Sequence, residues 1–296
     1  MSDRAIHRAK IEGVGELVLD DSPAQLFPWW SFTKTAIATC TLQLVAKGHL
    51  DLDDTLPNRP YTLRQLLQHR AGLPEYGKLA SYHEAVERRD EPWTADEMLA
   101  RVDANHLDFP PGEGWRYSNV GYFFVRQIIE ETVGADIGTA LKTLVFDPLE
   151  LETVRLVGVP GDLEKTVWGN KEDYHPGWVY HGLLVGRASD AVRFLHGLMS
   201  GQLLRSNLLE LMKIRHPIGG AVPGRPWVET GYGLGLMNGT MSKVGRAFGH
   251  SGVGPASLSA VYHFPECRPV CTVAAFTKGN DEGVNECAVV DLATQV

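Results

Sequence analysis

"PWWSFTKTAIAT", residues 28–39, decides the reading of this chain. A proline and two tryptophans run into a segment whose apolar residues recur at helical spacing (Ile37, Cys40, Leu44, Val45) and which ends near Gly48. Ser31 and Lys34 stand at the mouth of that helix. Three residues apart, they share one face, so the lysine can reach the hydroxyl. The first turn of a helix also offers unpaired N–H groups and the positive end of the peptide dipole, both favourable to a developing oxyanion. A serine hydroxyl is a poor nucleophile without such help. The same two residues also fit a helix cap and a solvated charge, so the stretch alone leaves both readings open.

Outward from this segment, GVGELVL (13–19) predicts a strand followed by the turn residues Asp-Asp-Ser-Pro. YTLRQLLQH (61–69) is amphipathic with Thr62 placed as N-cap, and further helices are expected over about 94–104, 120–134, 189–201 and 206–214. From about residue 230 the character changes. YGLGLMNG, RAFGHSG, ASLSAVYHF and PVCTVAAFT predict four strands, and 282–293 closes the chain as a helix. The expected class is α+β, an antiparallel sheet flanked by helices with a large, mostly helical insertion. Residues 1–30 and 230–296 are expected to form the sheet-containing region and 31–229 the helical region, with a cleft between them.

The 296 residues are 44% hydrophobic and 22% charged, values of a folded chain rather than a disordered one. Net charge is −8 with no basic cluster, which argues against a nucleic-acid partner. No run approaches the roughly 18 apolar residues of a membrane span, so no membrane partner is expected. The amino-terminal MSDRAIHRAKIEGVGELVL lacks the pattern of a signal peptide. Cys40, Cys267, Cys271 and Cys287 lack zinc or CxxC spacing and are read as reduced, which makes a cytoplasmic protein the expectation. Eleven histidines include no His-x-x-x-His or His-x-His pair, so neither a metal nor another cofactor is expected. No Gly-x-Ser-x-Gly marks an α/β-hydrolase, and GYGLGLMNG (231–239) does not satisfy Gly-x-Gly-x-x-Gly.

Two other groups carry chemistry. Tyr117-Ser118-Asn119 precedes the helix beginning near 120, and in an extended loop Tyr117 and Asn119 point the same way. A neighbouring lysine would help that tyrosine lose its proton. Buried tyrosine plus helix-capping asparagine is the plainer alternative. Gly249-His250-Ser251-Gly252-Val253-Gly254 lies between strand-like runs, where glycines let a backbone approach a ligand closely. His250 and Ser251 are candidate donors to a substrate, and a tight turn with an incidental histidine is the alternative. His181 and Trp178, in the WVYHGLL stretch, are candidates to line the cleft, with a plain structural role as the favoured alternative.

Taken in order, Ser31-x-x-Lys34, Tyr117-x-Asn119 and His250-x-Gly252 resemble the serine β-lactamase and penicillin-binding-protein superfamily. The likeness is to its class C-like branch, with D-aminopeptidases, DD-carboxypeptidases and esterases. SFTKTAIATCTLQLVAKGHLDLDDTL, TLRQLLQHRAGLPEY, FPPGEGWRYSNVGYFFVRQIIEETVG and HGLLVGRASDAVRFLHGLMSGQLL extend it over about residues 28–290. The resemblance implies Ser31 as acylated nucleophile, Lys34 as its proton partner and Tyr117 as general base or proton relay. It implies that Asn119 orients Lys34 and a substrate amide, that His250, Ser251, Gly252 and Val253 bind substrate, and that the backbone N–H groups of Ser31 and Val253 form the oxyanion hole.

Three departures qualify it. His250-Ser251-Gly252 replaces Lys-Thr-Gly, which removes a permanent cation for a substrate carboxylate and favours esters or amides over lactams. Trp30 stands before the nucleophile where a small residue is usual. The short stretch ahead of Ser31 implies that the usual amino-terminal helix and at least one sheet strand are shortened or absent, and with that an uncovered edge and a homodimer. The expected partner is otherwise a small ester, amide or lactam substrate. A catalytically weak ligand-binding or scaffold member of the same fold is the alternative.

Overall fold

The computed structural model describes residues 5–170, 173–255 and 257–295. Residues 1–4, Ala256 and Val296, all within the expected sheet-containing region, lie outside the described residues. In chain order the strands are β1 Ile6–Glu12, β2 Glu16–Asp20, β3 Phe27–Pro28, β4 Arg155–Val157, β5 Leu183–Gly186, β6 His216–Gly219, β7 Trp227–Tyr232, β8 Met237–Met241, β9 Gly245–Gly254, β10 Ser257–Phe264 and β11 Cys271–Lys278. The α-helices are α1 Thr33–Ala46, α2 Leu63–Leu67, α3 Ala80–Glu87, α4 Ala95–Arg101, α5 Asn119–Val133, α6 Ile137–Leu141, α7 Pro160–Leu163, α8 Ala188–Met199, α9 Ser206–Lys213 and α10 Glu282–Thr294.

One antiparallel sheet takes strands from both ends of the chain in the order β2-β1-β11-β10-β9-β8-β7-β6. The ends meet where β1 runs beside β11, from Ile6 opposite Thr277 to Glu12 opposite Cys271. The strand expected over 13–19 begins only at Glu16. Gly13 and Gly15 both have positive φ and form the turn that folds β2 back on β1, a conformation open to glycine at little cost. The sequence-based expectation of a missing strand is therefore corrected: two strands, β1 and β2, extend the sheet beyond β11.

β10 lies in the middle of this sheet with all eight residues buried, including the polar Ser257, Ser259 and His263. Val289 and Val290 of α10 cover one face, against Tyr262, Phe264, Val273 and Ala275. α8 covers the other. Beyond it, eleven of the fourteen residues of α1 are buried, so α1 is a central helix without a solvated face. Its buried threonines remain satisfied: Thr39 and Thr41 donate to the carbonyls of Thr35 and Ile37, and Thr35 donates to Gly235.

A second sheet, β3-β5-β4, is too short to have been visible in the sequence. It holds the entry to α1. Trp29 N–H donates to the Leu184 carbonyl at 2.8 Å, and Leu184 N–H donates to Thr33 Oγ1 at 3.1 Å. The Trp29 ring is fully buried against Phe194 and Phe146. The helices end where side-chain chemistry stops them. Thr62 and Gln65 cap α2 reciprocally, Ser118 caps α5, and Gly134 ends α5 at φ 69°. Among the described residues no helix is long and apolar enough to cross a membrane.

Candidate active site

Ser31 occupies a single helical turn, Trp30–Phe32, between β3 and α1. Trp30 has φ 46°, a conformation uncommon for a bulky residue, held because its indole N–H donates to Ser257 Oγ at 2.9 Å. The turn lies against β9, where Gly252 and Gly254 carry no side chain in the way of Trp30. The bulky residue before the nucleophile is thus matched by glycines on the facing strand.

Lys34 Nζ is 3.4 Å from Ser31 Oγ and 3.0 Å from His181 Nε2. It lies over the rings of Tyr117 and Tyr122, at 5.0 and 5.6 Å from their centroids. Lys34 is completely buried, and that burial pushes its pKa down to about 7, against an upward pull from the Glu75 carboxylate. Near neutral pH a large share of Lys34 is therefore a free amine with a lone pair.

Tyr117 behaves oppositely. Burial pushes its phenol well above the usual tyrosine range, with Ser31 hydrogen bonding a smaller opposing influence. Its Oη is buried without a well-aligned partner among the described residues. The expectation that the lysine would favour a phenolate is corrected: desolvation wins, and Tyr117 remains protonated. The ring is positioned by His69, 4.3 Å between centroids, whose Nδ1 accepts the Ser118 N–H. Ser118, not Asn119, caps the helix, while its hydroxyl donates to the Pro74 carbonyl. Asn119 donates from Nδ2 to Glu75 Oε1 at 3.0 Å and from its backbone N–H to the other carboxylate oxygen. The expected contact from Asn119 to Lys34 is not made. His181 takes that place.

The far wall is the free edge of β9. Pairing with β8 ends at Gly249, so His250–Gly254 are joined to the sheet only through β10. Ser251 N–H points away from β10 and reaches Met237 Sδ at 3.4 Å. Two residues on, Val253 N–H faces the same edge by strand alternation. The Ser31 amide lies against Gly252 on this edge. Both N–H groups named for the oxyanion hole therefore border one space.

His250 and Ser251 line the cavity, but their polar atoms are bound within the protein. His250 Nε2 is 2.9 Å from Tyr232 Oη, and Nδ1 donates to the Ser251 carbonyl. Burial lowers its pKa to about 3, so it is a neutral ring. Ser251 Oγ donates to the buried Glu286 at 2.5 Å and lies 2.8 Å from Tyr262 Oη. The expectation of two side-chain donors to substrate is replaced by a backbone edge braced from behind.

Ser31, Asn119 and Val253 border two cavities. The larger, about 390 Å³, is walled by Trp115, Trp227 and Tyr232, with Arg225 and Glu282 among its lining residues. The smaller, about 110 Å³, lies among Trp30, Tyr76, Tyr82, Tyr174 and His181. Arg225 is committed to Glu286 through Nε and Nη2 and to Glu282 through Nη1. Among the described residues no group of side chains is placed to hold a metal.

Ser31, the buried Lys34 and Tyr117 meet between an antiparallel sheet and a helical layer, in an α+β protein of the β-lactamase-like fold. The chain belongs to the Beta-lactamase family, whose model matches residues 22–294. It is 31% identical to a penicillin-binding protein of Bacillus subtilis (strain 168) over 51% of this chain and 35% of that protein. It is 32% identical to Esterase EstB of Burkholderia gladioli over 42% of this chain and 36% of that protein. These matches span about a third of the relatives' own length. In fold it is similar to the D-amino acid amidase of Ochrobactrum anthropi SV3, with TM-score 0.81 and 24% identity, covering 98% of this chain and 95% of that one.

Five further residues contribute to the site, and none has a chemical role legible in the sequence. Glu75, in the quoted GLPEY, reaches Asn119 from a loop distant in the chain. His181, whose place beside the cleft the sequence suggests, borders the smaller cavity and also touches Lys34, a contact the sequence does not display. Arg225, Glu282 and Glu286 come together only when α10 docks on the sheet. No local pattern announces any of these contacts.

Proposed function

We propose that this chain is a serine hydrolase that cleaves ester or amide bonds of a small substrate through an acyl-enzyme. The observation that carries this reading is the 3.4 Å approach of Ser31 Oγ to a fully buried Lys34 whose pKa lies near 7. In this mechanism the Lys34 amine accepts the Ser31 proton as Oγ bonds to the carbonyl carbon. The Ser31 and Val253 N–H groups receive the charge that develops on the carbonyl oxygen. Collapse breaks the bond to the alcohol or amine leaving group, which takes a proton delivered through Tyr117 from Lys34. Water then repeats the sequence on the acyl-enzyme and releases the acid.

The substrate class follows from charge. His250 is neutral and Arg225 is engaged by two carboxylates, which leaves the larger cavity without a free cation among its described lining residues. Esters and uncharged or amine-bearing amides therefore suit it better than carboxylate-bearing lactams, in line with the esterase and D-aminopeptidase names among its relatives. The four cysteines are free, which fits a cytoplasmic setting. A homodimer through an open sheet edge, β2 or β6, is part of the same reading and is tested by light scattering.

Intact-protein mass spectrometry after exposure to a fluorophosphonate or an activated p-nitrophenyl ester tests the reading. Wild type should gain one adduct and Ser31→Ala none. An adduct that persists in Ser31→Ala, or turnover undiminished there, overturns it. Binding without any adduct would instead identify a ligand-binding member of the fold.

A further inference from the structure

Lys34 has one lone pair as a free amine, and only one orientation presents it to Ser31. Two groups compete for the amine: Ser31 Oγ at 3.4 Å and His181 Nε2 at 3.0 Å. If His181 donated from Nε2, it would occupy the lone pair and leave Ser31 without a base. If His181 accepts at Nε2, it takes one amine hydrogen and turns the lone pair toward the serine. We propose that His181, in its Nδ1–H tautomer, is the positioning residue that orients the Lys34 amine for the Ser31 proton. This rests on the serine-hydrolase reading above and adds a residue to it.

The surroundings support an acceptor role. His181 is 3% exposed, lies in the loop leading into β5, and borders the smaller cavity beside Ser31. Burial lowers its pKa well below the usual histidine range, with smaller downward influences from Lys34, Arg126, His250 and His69, so the ring is neutral and one nitrogen is an acceptor. Nδ1 is buried without a partner among the described residues. Arg126 is turned away, donating to Glu130 and to the Tyr180 carbonyl. The groups facing the Lys34–His181 pair are thus Glu75 from the loop after α2, His69 just beyond α2, Tyr117 ahead of α5, Tyr122 and Arg126 on α5, and His250 on β9. Of these, the acid is Glu75, and it acts on Lys34 from the Asn119 side.

An acceptor on an ammonium favours the protonated state. Removing it should therefore lower the Lys34 pKa as well as misorient the amine. The experiment follows phosphonylation of Ser31 by a fluorophosphonate, in which Oγ bonds to phosphorus and fluoride leaves, against pH by intact mass spectrometry in wild type, His181→Gln and His181→Leu. His181→Leu should react about 10²-fold more slowly, the scale of a misplaced catalytic group. Its acidic limb should move to lower pH. His181→Gln, which can supply an acceptor oxygen, should retain most of the rate. A purely structural role would reduce thermal stability without moving the limb.

Equal rates and limbs in wild type and His181→Leu overturn the proposal, as does a His181→Gln variant as damaged as His181→Leu. Nitrogen NMR of the wild-type imidazole decides independently of variant folding: an Nε2–H tautomer overturns it. Absence of any wild-type adduct removes the hydrolase reading itself, whereas a wild-type adduct with an unmoved limb removes only the role of His181.

Discussion

A Cβ on Gly252 would stand 2.8 Å from the amide nitrogen of Ser31 and 2.7 Å from Trp30 Cβ. Real Cβ atoms essentially never stand so close, so β9 can meet the Ser31 turn here only because residue 252 has no side chain. The strand edge can then present Val253 N–H beside Ser31 N–H, and Trp30 can hold its positive φ against a flat surface.

Gly252→Ala should therefore push the Ser31 turn away from β9. The new methyl would meet Ser259 Oγ at 2.6 Å, Trp30 Cβ at 2.7 Å and the Ser31 amide nitrogen at 2.8 Å, so a cost of about 1–3 kcal/mol is expected from overpacking. Activity should fall further than stability, by about 10²-fold, because an oxyanion donor moves as well. Thermal unfolding and p-nitrophenyl ester hydrolysis on the same sample check both. Wild-type hydrolysis in Gly252→Ala would remove the β9 edge from the oxyanion hole.

A pKa near 7 for Lys34 fixes the direction of the pH dependence. The amine is the reactive form, so kcat/KM should rise with pH and level off above about 7. Glu75 pulls that pKa upward, and Glu75→Gln should shift the rising limb toward lower pH while weakening the anchor of Asn119. A limb that stays in place, or moves to higher pH, contradicts the electrostatic role of Glu75.

The same group makes folding pH-dependent. Lys34 has a folded pKa below its unfolded value of 10.5, so the unfolded chain binds more protons between about 7 and 10.5. Its destabilising effect is complete below about 7 and is relieved as pH rises through that window, by roughly 1.4 kcal/mol per pH unit. Lys34→Met should remove this slope and raise stability at pH 7, as measured by urea unfolding across pH. A Lys34→Met variant no more stable than wild type at pH 7 would show that the lysine is not held neutral.

Much of the fold and part of the site were legible because they rest on local patterns. Thr62 as an N-cap and Gly134 after an apolar-periodic run follow from caps and periodicity that act within a few residues. Ser31 and Lys34 were legible for the same reason, since helical spacing places them together. The rest depends on contacts between distant segments. The two-residue strand β3 has no periodicity to detect, yet with β5 it fixes Trp29. The protonation of Tyr117 is set by desolvation, which the sequence does not display and which outweighs the neighbouring lysine. Ser251 looked like a substrate donor until strand alternation turned its hydroxyl to Glu286 behind the sheet.

The last prediction concerns charge selection in the larger cavity. Among the described residues, Arg225 is its one lining guanidinium, with about a fifth of its side chain exposed, and Glu282 holds Nη1 while the fully buried Glu286 holds Nε and Nη2. Glu286 cannot be spared, because removing it would leave Arg225 without its buried partner and Ser251 without its acceptor. Glu282 lies at the rim and is the better lever. Glu282→Gln should free part of the Arg225 charge for a substrate carboxylate, a gain of about 1 kcal/mol at a partly exposed site, or several-fold in KM. The measurement is the ratio of kcat/KM for nitrocefin, which carries a carboxylate, to that for p-nitrophenyl acetate, which carries none. It should rise in Glu282→Gln. His250→Lys, which introduces a lysine where the resembling family has one, should also raise the ratio, but by less. That side chain would be 2% exposed between Tyr232 and Ser251, and its charge would depress the Lys34 pKa further. An unchanged ratio in Glu282→Gln would show that the Arg225 cluster plays no part in choosing the substrate.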